Sequence, residues 1–198
     1  MDTPHGPARA HVDAVGAARG ALVLGHGAGG GIGAADLTAV ARAAGAAGLS
    51  VALVEQPYKV AGRRSPAPAR QLDTAWTAVV DHLRAGPFGD VPLNVGGRSA
   101  GARVACRTAA AVDAAAVLCL AFPVHPPGRP EKSRLDELDA VTVPTLVVQG
   151  DRDPFGMPPP RSGRTVVTVP GNHGLKGDLE AVAAAAEDWL GSVLSASR

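Results

Sequence analysis

Within PLNVGGRSAGARVA, Ser99 stands between two glycines in the pattern Gly97-Arg98-Ser99-Ala100-Gly101, where an apolar run meets a helix-like one. A strand-to-helix turn of this kind tolerates only small neighbours and lifts the serine hydroxyl to the sheet end, at a helix N-terminus. Asp153 in VVQGDRDPFG and His173 in VPGNHG each sit in the turn that follows another apolar run. Serine, acid, histidine is one of the chain orders in which a nucleophilic triad occurs. The chemistry would be acyl transfer, with the histidine taking the serine proton and backbone N–H groups meeting the oxyanion that forms. Asp151 is a rival for the acid, because either aspartate also suits a capping role in a turn. His173 is the only histidine after the acid; its bland alternative is a loop histidine bonded to backbone.

A second stretch competes for the function. In LGHGAGGGIG, Gly25, Gly27 and Gly30 fit the G-x-G-x-x-G spacing directly after the run ALVL, and the run LSVALVE ends at Glu55. That is the arrangement of a dinucleotide site, with an acid for the ribose hydroxyls. It accounts for neither GGRSAG nor the placement of Asp153 and His173.

The elements that must position these residues alternate along the chain. Apolar runs at 21–24, 49–54, 92–95, 115–120, 145–150 and 165–169 predict strands. Helical spacing of Leu37, Val40 and Ala44, and of Leu72, Trp76, Val79 or Val80 and Leu83, predicts two crossover helices, the second ending near Gly86. A third helix is expected over roughly 100–111, and a terminal one carries a stripe of Leu179, Val182, Ala186, Trp189 or Leu190, and Val193. Trp76 and Trp189 are read as core residues. The proline- and arginine-rich segment 54–69 reads as a surface loop, and 121–144 as a loop with a short helix. Such alternation implies a mostly parallel sheet, here about six strands, with helices on both faces.

Composition narrows the functional classes. The chain has 198 residues, 46% of them hydrophobic, with a formal net charge of +1. That suits one domain with a sizeable core, and interspersed charges give no footprint for nucleic acid or an anionic membrane. A small-molecule substrate is the expected partner, and the oligomeric state is expected to be a monomer or small homo-oligomer. Cys106 and Cys119 lie in apolar surroundings without C-x-x-C spacing, as expected of buried reduced thiols and not of a zinc or disulfide framework. No run reaches the length of a membrane span and the first residues have no signal-peptide character, so a cytoplasmic protein is expected.

From Ala21 onward the chain resembles the α/β-hydrolase family. GHGAGGG, GGRSAG, FPVHPPGRP and QGDRDPFG are similar to a subgroup of small hydrolases. It includes dienelactone-hydrolase-like bacterial proteins and hydrolase-like subunits related to testis-expressed and histone-acetyltransferase-complex proteins. The resemblance implies a serine hydrolase with Ser99 as nucleophile, Asp153 as acid by the spacing G-x-x-D, and His173 as base. It also implies that the glycine loop supplies an oxyanion donor, the N–H of Ala28, beside that of Ala100. No cofactor or metal is required. Residues 1–20 are too few for the first two strands of a full-length member and are expected to form an extension or short strand before a single domain over 21–198. Residues 121–144 leave no room for a large lid. The alternative implied by relatives that work within complexes is a binding scaffold without turnover. His26 is expected to fix the glycine turn, His125 to line or cap a loop, and Arg98 to meet an acidic substrate group or an ion-pair partner.

Overall fold

The computed structural model describes residues 1–196. Seven strands make one sheet: β1 (Arg9–Asp13), β2 (Gly20–Gly25), β3 (Leu49–Glu55), β4 (Leu93–Arg98), β5 (Ala116–Leu120), β6 (Thr145–Gly150) and β7 (Arg164–Val169). Their order is β1-β3-β2-β4-β5-β6-β7, with all neighbours parallel except β1, which runs antiparallel to β3. The helices are α1 (Ala35–Ala46), α2 (Pro57–Val60), α3 (Ala69–Leu83), α4 (Ala100–Thr108), α5 (Leu135–Asp139) and α6 (Leu179–Ala196). None among the described residues is long and apolar enough to cross a membrane.

Burial on both faces explains why the inner strands read as unbroken apolar runs. Ala21, Val23, Val95, Val117, Cys119 and Val147 turn to the layer holding Trp76 and Val80 of α3 and Ala102 and Ala105 of α4. Leu22, Leu24, Leu118, Leu120, Leu146 and Val148 turn to the layer of α1 and α6. In α6 the buried stripe is Val182, Ala186, Leu190 and Leu194. Trp189 lies half-buried against the edge of this layer, because Leu190 takes the inward position.

The seventh strand comes from residues 9–13, the segment read as an extension or short strand. Its side chains are mostly exposed, so no apolar pattern betrays it. It is held by backbone pairing along β3 and by Arg9 and His11, which lie 3.1 and 3.2 Å from Glu55. Glu55, the acid a dinucleotide site would use, is engaged there. The segment 54–69, read as loop, contains α2, which buries Tyr58.

The strand order reverses direction between β2 and β4, and the loops leaving their C-terminal ends face one crevice, the usual ligand position in open α/β sheets. The backbones approach closely there. A methyl group at Gly97 would lie 2.5 Å from the Gly25 carbonyl oxygen, and one at Gly101 would overlap that same carbonyl. Gly31, farther along the glycine run, has no atom within 4 Å of such a methyl. We therefore expect Gly101→Ala to lose about 1–3 kcal/mol by overpacking, lowering Tm by roughly 2–4 °C per kcal/mol, and Gly31→Ala to stay within about 0.5 kcal/mol. Thermal unfolding by circular dichroism checks this, and equal melting of both variants would contradict the close approach.

Candidate active site

Ser99 joins β4 to α4 with φ 54° and ψ −108°, outside the regions an L-residue ordinarily adopts. Such a conformation costs of order 1–3 kcal/mol and persists only when the surroundings fix it. Here the Ser99 N–H donates to Leu120 O at the end of β5 (2.9 Å), and Ser99 O accepts the first helical bond of α4, from the Arg103 N–H (3.2 Å). The side chain is thereby presented above the sheet end, at the positive pole of α4.

Two loops bring polar side chains to it. His173, after β7, has Nε2 2.9 Å from Ser99 Oγ and Nδ1 2.8 Å from Asp153 Oδ2. Asp153, after β6, is 1% exposed at its side chain and His173 18%. The Phe155 N–H donates to Asp153 Oδ1 (2.9 Å) and the Gln149 amide to Asp153 Oδ2 (2.9 Å), so both carboxylate oxygens are fixed. The Phe155 ring packs on the His173 ring with centroids 4.2 Å apart. With Asp153 accepting from Nδ1–H, Nε2 is the free acceptor that faces the serine hydroxyl. Asp151, the rival acid, points elsewhere: it is half exposed and its Oδ1 accepts the Gly171 N–H (2.7 Å), holding the start of the His173 loop.

Arg98, next to the serine, faces inward. Its Nε donates to Asp36 Oδ2 (2.8 Å) and its Nη2 to the His173 carbonyl (2.7 Å). Asp36 lies in the first turn of α1 and is buried; burial raises its carboxyl above the ordinary value, opposed by the Arg98 guanidinium and the Leu37 N–H. The pair ties α1, β4 and the His173 loop together, so Arg98 is an ion-paired arginine with its charge spent internally.

The glycine loop after β2 is held by side chains on the β3 side. Buried His26 donates from Nδ1 to Gly27 O (2.8 Å) and accepts the Gln56 N–H at Nε2 (3.2 Å), which fixes the neutral tautomer. Burial lowers its pKa, in keeping with that form. Tyr58 donates to Ala28 O (3.0 Å), and desolvation pushes its hydroxyl up to about 12. The N–H groups of Ala28 and Ala100 donate to nothing else among the described residues, and both residues line the same cleft as Ser99.

That cleft has a volume of about 300 Å³ and is walled by Leu72 of α3, Arg103 and Arg107 of α4, Pro123, Pro127 and Arg134 from the 121–144 segment, and Phe155. The 121–144 segment therefore forms a wall. It is pinned where the His125 N–H donates to Phe155 O (3.2 Å) and the Arg134 N–H to Val124 O (2.7 Å). His125 itself turns its Nδ1 to Pro126 O (2.9 Å).

Ser99, Asp153 and His173 are thus brought together, while Asp151 and His125 are not part of the set. Asp36, Tyr58, Gln149, Phe155 and Arg134 escaped sequence reasoning. Asp36 and Tyr58 act on partners far along the chain, Arg134 has no side-chain partner among the described residues, and only Gln149 and Phe155, flanking the GDRD turn, carried a positional signal. Groups of histidine, cysteine and acidic residues able to hold a metal ion are absent among the described residues.

Comparison with known proteins places the chain in a family. No curated protein matches the sequence. Among solved structures, a lidless α/β serine hydrolase from Xanthomonas campestris superposes with a TM-score of 0.76 at 23% identity, covering 96% of this chain and 91% of that one. Est1E from Butyrivibrio proteoclasticus does so with 0.76 at 18% identity, covering 95% of each chain. A dienelactone hydrolase from Anabaena variabilis gives 0.72 at 21%, covering 92% and 90%. These are likenesses of fold. A family model described as an alpha/beta hydrolase domain matches residues 18–173, and the chain belongs to the α/β-hydrolase family.

Proposed function

We propose that the protein is a serine hydrolase of small ester or acyl substrates, with Ser99 as nucleophile, His173 as general base and acid, and Asp153 as the group that orients the imidazole. The observation that carries this reading is His173 hydrogen-bonded at both nitrogens, to Ser99 Oγ and Asp153 Oδ2, while Ser99 sits in a backbone conformation a merely small turn residue does not need.

In the reaction His173 Nε2 takes the Ser99 proton as Oγ attacks the carbonyl carbon. The oxyanion that forms is met by the N–H groups of Ala28 and Ala100, both otherwise unengaged. His173 then returns the proton to the leaving group, and water, activated by the same imidazole, hydrolyses the acyl-enzyme. Asp153 orients the imidazole and stabilises the imidazolium that forms. His26 and Tyr58 set the Ala28 loop, and Arg98 sets the height of the His173 loop relative to the serine. The free thiols of Cys106 and Cys119 support assignment to a reducing compartment, the cytoplasm.

Labelling with a fluorophosphonate probe tests the nucleophile. Wild type should label, and Ser99→Ala should not while keeping its Tm; a folded wild type that stays unlabelled would favour a non-catalytic scaffold. Among the acids, Asp153→Asn should lower kcat on the order of 10⁴-fold through the wrong tautomer. Asp151→Asn, which keeps an oxygen for the Gly171 N–H, should stay within about threefold of wild type, since only a surface loop bond is weakened. The opposite ranking would reassign the acid. On p-nitrophenyl esters, kcat/KM should peak at short acyl chains and fall beyond about eight carbons. A cleft of about 300 Å³ is at the lower end of ligand sites and leaves later methylenes in water. A steady rise through laurate and palmitate would refute it.

A further inference from the structure

Three guanidinium groups line the cleft beside Ser99, and they are not equivalent. Arg103 is paired bidentately with Glu137, at 2.8 and 2.5 Å. Arg107 is paired bidentately with Asp73, at 2.8 and 2.6 Å, and reaches Glu137 at 3.1 Å. Two carboxylates therefore serve two arginines, and the geometry of each fork is filled. Arg134 makes no side-chain hydrogen bond and no ion pair among the described residues, although it is only partly exposed. Burial lowers its pKa first, then repulsion from Arg103; Glu137 attracts it from beyond ion-pair distance, and Arg107 adds further repulsion. An arginine stays charged under such conditions, so one positive charge in the wall is left without a partner. The backbone at Arg134 is fixed by its bond to Val124 O, which sets the root of the side chain in the cleft wall.

We propose that the cleft accepts substrates bearing a second, anionic group, a carboxylate remote from the reacting carbonyl, and that Arg134 receives it. One surplus positive charge matches a monoanion, and a free planar guanidinium matches a carboxylate by two parallel N–H···O bonds. Asp73 and Glu137 would repel an anion left loose in the cleft, but each is already neutralised by Arg107 and Arg103. Pro66, Ala67, Ala69 and Leu72 also line the cleft, and this apolar lining suits the short carbon chain between the two ends of such a substrate. Esters of short dicarboxylic acids, with one end free, have this form. The inference deepens the serine-hydrolase reading and rests on it for turnover, though not for binding.

The test compares p-nitrophenyl hemiglutarate, with its free carboxylate, against p-nitrophenyl valerate, a neutral ester of the same chain length. The wild type should prefer the hemiglutarate by about tenfold or more in kcat/KM, the order expected for a hydrogen-bonded charge. In Arg134→Gln that ratio should fall to near one, and in Arg134→Lys part of it should survive. Tryptophan fluorescence titration of the Ser99→Ala protein provides a binding measurement without turnover. It should show the same charge preference, removed in Ser99→Ala/Arg134→Gln. Turnover of both esters with no charge preference, or a ratio that Arg134→Gln leaves as it was, overturns the proposal while the serine-hydrolase reading stands. A charge preference in binding that depends on Arg134, in a wild type that neither turns over ester nor takes the fluorophosphonate, upholds the anion site and removes the serine-hydrolase reading.

Discussion

The approach of two backbones at the sheet end governs this site. Gly25 ends β2, Gly97 and Gly101 flank the turn from β4 to α4, and side chains at either of the latter two would collide with the Gly25 carbonyl. Removing those side chains lets α4 start hard against the sheet, and that packing holds Ser99 at its positive φ. The strain, of order 1–3 kcal/mol, is met by packing and hydrogen bonding around it and leaves the hydroxyl exposed in the crevice where the strand order reverses. A turn relaxed enough to accept larger residues would not aim the side chain at His173.

A second constraint acts on the partners of the serine. The loop bearing His173 is fixed at its start by Asp151, at its carbonyl by Arg98, and at its ring by Asp153 and Phe155. Arg98 belongs to β4 and pairs with Asp36 of α1, so the histidine is referenced to the same strand that carries the serine. Two groups that must meet within hydrogen-bond distance are thus positioned from a shared element, which limits how far a shift elsewhere can part them.

Much of the scaffold was legible because both faces of a parallel sheet are buried and give short apolar runs, while helices show the longer period. β2 to β7 follow the runs in the sequence closely. Residues 9–13 were harder to read because an edge strand with exposed side chains is held by backbone bonds and ion pairs to Glu55, neither of which leaves a hydrophobic pattern. That Ser99, Asp153 and His173 would meet was legible because each follows a strand in a recognisable turn. The roles of Tyr58, Asp36 and Arg134 were not, since the partners of the first two lie 30 residues or more away and Arg134 has no side-chain partner among the described residues. Along the glycine run, a methyl at Gly25 would crowd Trp76 at 3.2 Å and one at Gly27 would meet the Arg98 guanidinium at 2.9 Å, while Gly29, Gly31 and Gly33 meet open space, so the contacts of the glycines carry more meaning than their spacing.

The thiols of Cys106 on α4 and Cys119 on β5 lie 3.5 Å apart, buried between the helix and the strand that hold the serine turn from either side. The Cys119 hydrogen bond, burial and the neighbouring charge push the Cys106 thiol well above its ordinary value, so it is a poor nucleophile while α4 stays on the sheet. Any reagent that alkylates it must wait for that helix to lift. Thiol reactivity at Cys106 thus reports how often α4 lifts and the turn carrying Ser99 opens, a rate set by local unfolding.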